Sequence, residues 1–113
     1  MNNVYTIQGS AISVNKMTIG KKVLTKEYRQ FKEAMALELA FQRKTIRKDR
    51  NLTVIITFFL KELYRKDIDG GLKIVLDAGT EAGLWTDDRN IVTLVVKKVK
   101  SEKNYIQIEI LER

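Results

Sequence analysis

The sequence predicts a single compact α/β (α+β) domain over residues 1–113, in which a mixed sheet of four to five strands packs against two helices. Three features lead to this prediction. Leu52 to Leu60 is a run of apolar, largely β-branched and aromatic residues, which is typical of a buried strand. Tyr105 to Leu111 alternates between polar and apolar residues, as a half-buried strand does. Two other segments carry apolar residues at helical spacing.

The first half of the chain is predicted to hold one strand and one long helix. Val4 to Gln8 reads as a strand, and Ala11 to Val14 either continues the sheet or returns as a hairpin arm. Lys16 to Lys22 is predicted to be a loop. A long helix is expected from an N-cap at Thr25 to about Arg43. The apolar residues that we assign to its core face or to a dimer interface are Phe31, Ala34, Met35, Leu37, Leu39, Ala40 and Phe41.

The second half is predicted to hold three strands and a short helix. Leu52 to Leu60 is apolar on both faces, which predicts a central strand covered by a helix. Leu72 to Thr80 is predicted to be a short, mostly buried helix that ends among glycines. Two strands follow, Ile91 to Lys97 and Tyr105 to Leu111, and the charged turn Lys98 to Asn104 joins them. In the last strand we expect the isoleucines to point into the core.

Cysteine and histidine are both absent from the 113 residues. Their absence excludes disulfides, thiolate or imidazole metal sites, serine–histidine triads and histidine acid–base chemistry. Enzyme chemistry in this chain must therefore rest on carboxylates, lysines, hydroxyl groups or metal-bound water. The sequence has no apolar run of membrane-spanning length and no signal-peptide pattern, so we expect a cytoplasmic protein that contacts no membrane.

Positive charge is concentrated in the first half of the chain. Residues 1–50 contain eleven Lys or Arg against four Asp or Glu, which accounts for the whole net charge of +7. This distribution fits a protein that binds a polyanion, and it also fits basic residues that only solubilise an exposed helix. The residues that we assign to a DNA-backbone surface are Lys16, Lys21, Lys22, Arg43, Lys44, Arg47, Lys48, Arg65 and Lys66.

Two further features near the ends of the predicted strands have two interpretations each. The lysines at 97, 98, 100 and 103 form either a second basic surface or a solvated hairpin. Tyr64 is expected to be an ordinary surface tyrosine, with stacking on an unpaired base as the alternative.

Two pairs of aspartates flank the predicted short helix. Asp67 and Asp69 precede it, and Asp87 and Asp88 follow it. If the two loops fold toward each other, their carboxylates converge, and mutual repulsion makes such a cluster unfavourable without a cation. Carboxylate oxygens suit a hard divalent ion such as Mg²⁺.

Each piece of this pattern also has a simpler explanation. Asp69 could cap the helix, and Lys73 could form an ordinary ion pair with Asp69 or Asp77. Asp87 and Asp88 could belong to a plain turn. Because Asp69, Lys73 and Asp77 share one helical face through their spacing of four, the pieces together favour a metal site.

The whole stretch reads Asp67-x-Asp69-x-x-x-Lys73-x-x-x-Asp77-Ala78, followed by Ala82-Gly83-Leu84-Trp85-x-Asp87-Asp88. This pattern closely resembles the RusA family of Holliday junction resolvases, which are small phage and prophage endodeoxyribonucleases. The resemblance implies that Asp67, Asp69 and Asp88 form a magnesium-dependent catalytic cluster, in which Mn²⁺ could replace Mg²⁺. It further implies that Lys73 is the essential basic residue, and it leaves Asp77 and Asp87 as supporting residues.

The resemblance also implies the biological activity. The expected protein is a homodimer, encoded by a phage or its bacterial host, that resolves four-way DNA junctions by paired symmetric cuts in recombination and repair. Gly70 stands where the family motif has asparagine, and the usual proline- and arginine-containing run after the first strand is absent. Two alternatives therefore stay open: a non-catalytic basic nucleic-acid-binding module with a degenerate acidic cluster, and a metal-dependent nuclease for flap or single-stranded DNA.

Overall fold

The structure is a computed structural model that describes residues 3–8, 18–19, 23–24, 26–42, 51–64 and 71–112. Within these residues the chain forms six strands, two helices and one 3-10 turn. In chain order they are β1 (Asn3–Gln8), β2 (Thr18–Ile19), β3 (Val23–Leu24), α1 (Lys26–Gln42), β4 (Leu52–Leu60), α2 (Leu72–Ala82), the 3-10 turn (Asp88–Asn90), β5 (Ile91–Lys100) and β6 (Tyr105–Glu112).

Four of the strands form one mixed sheet in the order β1-β6-β4-β5. β4 pairs in parallel with β5 and antiparallel with β6, and β1 pairs antiparallel with β6. The parallel pair requires a crossover, and α2 supplies it. β4 is thus an inner strand, as its apolar sequence predicted. The short strands β2 and β3 form a separate antiparallel pair.

One face of the sheet carries the hydrophobic core. The register aligns Ile56 of β4 with Ile108 of β6. Because side chains alternate along each strand, these two side chains point to the same face of the sheet, and both are fully buried. Met35 and Leu39 of α1 and Ile74, Val75 and Ala78 of α2 belong to the same buried cluster. Both helices therefore cover the same face. The predicted fold, a compact domain with a mixed four-strand sheet and two helices, is confirmed.

The opposite face of the sheet is apolar but only partly buried. Phe59 of β4 and Tyr105 of β6 are register partners, and their rings stack with centroids 4.3 Å apart and planes 7° apart. Val4, Val95 and Val99 are exposed on the same side by register. β4 is therefore apolar on both faces, as predicted, and among the described residues the helices cover one of them.

The core face of α1 is narrower than the sequence predicted. Met35, Ala36 and Leu39 are buried, whereas Leu37 is 62% exposed and Phe41 is 84% exposed. Each of these two exposed residues lies two positions from Leu39, which is about 200° around a helix. The assignment to the core face is therefore wrong for the five exposed residues, which are Phe31, Ala34, Leu37, Ala40 and Phe41. The alternative assignment of this face to a dimer interface stays a prediction.

Element boundaries differ from the predictions in several places, and α2 ends at Ala82, two residues beyond its predicted end. Thr18–Ile19 of the predicted loop forms strand β2, and β5 extends to Lys100, three residues beyond its predicted end. The N-cap of α2 is Gly71 rather than Asp69. The predictions for Ala11 to Val14 and for the Thr25 cap lie outside the described residues.

Neither described helix combines the length and the hydropathy that crossing a bilayer requires.

Candidate functional site

The predicted site residues divide into two groups. Lys73, Asp77, Asp87 and Asp88 are described by the structure. The predicted residues that lie outside the described ranges are Asp67, Asp69, Lys16, Lys21, Lys22, Arg43, Lys44, Arg47, Lys48, Arg65 and Lys66. In the sequence, Asp69 is two residues before Gly71, the N-cap of α2.

The first turns of α2 carry the predicted basic residue. Gly71 has a φ of 92°, a left-handed conformation that favours glycine, and no side chain caps the helix there. Lys73 is exposed, and its Nζ donates a hydrogen bond to Asp77 Oδ2 at 2.7 Å. The sequence left two partners open for Lys73, and the structure shows the ion pair with Asp77. This contact holds the ammonium group against the helix surface.

A Schellman motif ends α2 and turns the chain back along the helix. Gly83 is left-handed with a φ of 81°, and Leu84 N donates to Gly79 O at 3.0 Å. This turn brings Trp85 onto the helix, where the indole is fully buried and its Nε1 donates to Thr80 Oγ1 at 2.7 Å. A Cβ added to Gly79 would lie only 2.5 Å from Trp85 Cη2. Gly79 is therefore needed where the indole crosses the helix.

Asp87 is the N-cap of the 3-10 turn that carries Asp88. Its Oδ1 accepts a hydrogen bond from Arg89 N at 2.9 Å, and its own N–H donates to Asn90 Oδ1 at 3.0 Å. This reciprocal pattern is a capping box. The simpler explanation of a turn is therefore confirmed for Asp87. Asp88, the next residue, is the first of the 3-10 turn and is exposed.

The pKa of Asp87 lies below the ordinary value of an aspartate. The largest cause is the hydrogen bond that its carboxylate accepts from the Arg89 backbone N–H, and burial acts in the opposite direction. A hydrogen bond with the Asp88 side chain and the positive charge of Arg89, whose Nε lies 3.4 Å from Asp87 Oδ1, lower the pKa further. The local donors thus favour an ionised, fixed Asp87.

The turn and the helix together form a shallow groove, which we call the Asp88 groove. It has a volume of about 380 Å³ and is lined by Leu72, Lys73, Leu76, Asp77 and Asp88. Asp77 and Asp88 also line a neighbouring groove with Lys32, Thr80, Glu81 and Asp87. Asp88, which follows α2 in the sequence, therefore lies on the same surface as Lys73 and Asp77 of the helix. The predicted convergence with the loop before α2 concerns residues outside the described ranges.

The ligand types in the Asp88 groove fit a hard divalent ion. Carboxylate oxygens are the donors that Mg²⁺ prefers, and Asp77 and Asp88 both present them. Among the residues that the structure describes, no group of three or more aspartates or glutamates is close enough to hold a metal. The other two predicted metal ligands, Asp67 and Asp69, lie outside the described residues.

Sequence reasoning missed three residues that shape this site. Asn90 closes the capping box, Thr80 accepts the indole N–H, and Gly79 leaves room for the indole. The spacing of three from Asp87 to Asn90 is close to a capping-box signature and could have identified Asn90. The contacts of Gly79 and Thr80 with Trp85 depend on the Schellman turn, so no local pattern reveals them.

Two comparisons with known proteins identify the family of the chain. A family model described as Endodeoxyribonuclease RusA matches residues 8–111. The chain is also 46% identical over 48 residues to a crossover junction endodeoxyribonuclease rusA of Lactococcus phage r1t. That alignment covers 42% of this chain and 37% of the phage protein. Because the family model spans nearly the whole chain, the chain belongs to the RusA family of endodeoxyribonucleases.

Proposed function

We propose that this protein is a magnesium-dependent endodeoxyribonuclease that resolves four-way DNA junctions by paired symmetric cuts. The observation that carries the proposal is the meeting of Lys73, Asp77 and Asp88 in one groove at the start of α2. Asp67 and Asp69 of the family motif immediately precede that helix. The name of the phage relative, a crossover junction endodeoxyribonuclease, supports the choice of substrate.

Asp67, Asp69 and Asp88 would hold the metal ion. Bound Mg²⁺ lowers the pKa of a water ligand and offsets the charge that develops on the phosphate during hydrolysis. The capping box keeps the exposed Asp88 carboxylate at the groove, and the neighbouring Asp87 carboxylate is occupied by backbone donors. Asp88 is therefore the better ligand of the pair. Manganese could substitute, because it also accepts oxygen ligands.

Lys73 would supply a fixed positive charge beside the scissile phosphate. Its Nζ lies 2.7 Å from Asp77 Oδ2 on an exposed helix surface, in the same groove as Asp88. An ammonium group held there suits the stabilisation of a phosphate oxygen or of the leaving oxygen. Asp77 orients the lysine, which gives this aspartate a supporting role rather than a ligand role.

A homodimer would place two identical sites on a two-fold symmetric junction. The half-buried apolar sheet face around Phe59 and Tyr105 offers one surface for such a contact. The net charge of +7 would attract the DNA backbone to the assembly. The mass of the free protein in solution, measured by sedimentation, distinguishes a dimer from a monomer.

The experiment that tests the proposed function is cleavage of a synthetic four-way junction with and without magnesium. We expect paired symmetric nicks with magnesium, and little cutting of linear duplex, flap or single-stranded controls. Asp69→Asn should abolish cleavage and keep junction binding, because the amide removes a metal ligand and leaves the basic residues unchanged. Asp88→Asn should behave in the same way.

Three outcomes would contradict parts of the proposal. Junction binding without cutting would favour a non-catalytic binding module, a function that Gly70 in the asparagine position of the family motif makes worth testing. Preferential cutting of flap or single-stranded DNA would change the substrate. Loss of folding or of junction binding in Asp69→Asn would show that the aspartate has a structural role.

A further inference from the structure

A second surface, at the far end of β4, combines an exposed aromatic ring with lysines. β4 ends at Leu60, and the next four residues form a turn. Tyr64, the last of them, is 91% exposed, which is more than any other large hydrophobic residue in the described part of the chain. We call Lys61, Leu63, Tyr64, Lys98 and Lys100 the Tyr64 surface.

Hydrogen bonds from β5 and from the segment that connects β5 to β6 hold this turn in place; these two strands flank β4 and do not form a hairpin. Lys98 Nζ donates to Leu63 O at 2.9 Å, and Lys100 Nζ donates to Lys61 O. The backbone N–H of Lys61 donates to Asn104 Oδ1 at 2.9 Å. Because both lysine side chains reach the turn, they hold its backbone and bring positive charge close to Tyr64. The ring therefore projects from an anchored turn.

The charge around Tyr64 favours an anionic partner. Lys61, Tyr64 and Lys100 line a groove of about 630 Å³ together with Leu63 and one carboxylate, Glu62. Lys98 contacts the same turn from β5. An exposed ring beside several cationic groups suits a nucleotide, because the base can stack on the ring while its phosphates contact the lysines.

The register of β5 distributes Lys97, Lys98 and Lys100, three of the four lysines of the predicted second basic surface, between the two faces of the sheet. Lys98 and Lys100 pair with Phe58 and Leu60 and lie on the helix side of the sheet. Lys97 pairs with Thr57 and lies on the opposite side. Two of the four lysines therefore belong to the Tyr64 surface, and Lys97 provides a matched control on the same strand.

We propose that the Tyr64 surface binds an unpaired nucleotide of branched DNA, with the Tyr64 ring stacked on the base and Lys61 and Lys100 near its flanking phosphates. This inference rests on the proposed function and extends it. Tyr64 is three residues before Asp67, so chain connectivity keeps their Cα atoms within about 11 Å of each other. A nucleotide stacked on Tyr64 would thus be held next to the DNA strand that enters the proposed cluster of aspartates.

The experiment measures DNA binding in EDTA, where cleavage does not contribute. The probes are a four-way junction, a linear duplex of the same arm sequence, and a single strand that carries 2-aminopurine. The variants are Tyr64→Leu, Tyr64→Phe, Lys61→Gln and the control Lys97→Gln. Circular dichroism checks that each variant is folded, which we expect because the replaced side chains are exposed.

Stacking on Tyr64 makes three results expected. Tyr64→Leu should weaken binding to the junction and to the single strand at least about fivefold, and should change binding to the duplex less than about twofold. Tyr64→Phe should bind all three DNAs like the wild type. 2-Aminopurine emission should be quenched by the wild type and by Tyr64→Phe, and not by Tyr64→Leu. Lys61→Gln should reduce the salt dependence of single-strand binding by about 0.7 in the log–log slope, and Lys97→Gln should reduce it less.

Several outcomes would overturn the inference. Unchanged junction affinity in Tyr64→Leu would overturn the inference and would be expected if the surface binds a protein partner instead. The proposed function would still stand if the wild type cuts junctions. An equal loss for duplex and junction would also contradict stacking on an unpaired base. Conversely, a Tyr64 effect in a protein that binds junctions but never cuts them would support the surface and refute the nuclease function. No DNA binding by the wild type would overturn both.

Discussion

Gly79→Ala should destabilise this protein, although alanine is normally the better residue inside a helix. Gly79 is buried within α2, and the indole of Trp85 lies directly over it. The added Cβ would be 2.5 Å from Trp85 Cη2, well inside van der Waals contact. Trp85 is itself fully buried, so its ring cannot move without disturbing the core around it.

The magnitude follows from three opposing contributions. Overpacking a close-packed site costs about 1–3 kcal/mol. The alanine gains about 0.5–1 kcal/mol from its smaller loss of backbone entropy in the helix. A displaced indole also loses the hydrogen bond from Trp85 Nε1 to Thr80 Oγ1, which contributes about 0.5–1.5 kcal/mol. The expected net loss in the free energy of unfolding is therefore about 2 kcal/mol.

Urea unfolding monitored by fluorescence is the appropriate assay, because Trp85 is the only tryptophan in the chain. With a typical urea dependence of about 1–3 kcal/mol per molar, the midpoint should fall by about 1 M. Native-state emission should shift to the red as the indole is displaced. Thr80→Val is the matched control, since it replaces with a methyl group the hydroxyl that accepts from the indole and donates to Leu76 O, and it should cost about 1 kcal/mol.

The reasoning would be refuted if Gly79→Ala were more stable than the wild type by about 0.5–1 kcal/mol with unchanged emission. That result would mean that the helix position has room for a methyl group and that glycine costs stability there. A red-shifted emission with unchanged stability would also contradict the argument, because it would separate displacement of the indole from its energetic cost.

Two further predictions concern contacts that the structure added to the sequence reasoning. Gln42→Ala should lower the free energy of unfolding, measured in urea, by about 1–3 kcal/mol. The reason is that the Gln42 amide accepts from Thr6 N at 3.0 Å and donates to Thr6 O at 2.8 Å on the edge strand β1. An equal loss in the exposed control Gln30→Ala would contradict this. Asp87→Ala should lower magnesium-dependent cleavage about 10- to 100-fold in single-turnover assays, as expected when a group that supports a metal ligand is lost. Asp87→Asn should retain most activity because its amide oxygen can still cap Arg89 N; equal loss in both variants would instead identify Asp87 as a ligand.

The fold class was largely predictable because the long strands and α2 have clear apolar patterns. β4 is apolar on both faces, and β6 alternates with period two, so an inner strand beside a half-covered strand was the natural solution. α1 was less predictable. Its sequence has apolar residues around much of its circumference, and the position of the core face depends on packing against α2 and β1 rather than on spacing alone.

The candidate site was predictable in its parts and less so in their roles. The spacing of four between Lys73 and Asp77 gave their contact, because that spacing stacks two side chains on one helical face. The meeting of Asp88 with Lys73 depends on the Schellman turn at Gly83 and on the packing of Trp85. Such contacts link residues through the buried core, which periodicity and propensity do not encode.

The Asp87–Asp88 pair shows how a doubled acidic residue can divide two tasks. The Asp87 carboxylate satisfies backbone donors at the start of the 3-10 turn, and that turn places the next carboxylate, that of Asp88, at the groove. A lone aspartate in this loop would have to cap the turn and bind metal with the same oxygens. If Asp88 is the metal ligand that we propose, this division explains how two adjacent acidic residues are useful there despite their repulsion.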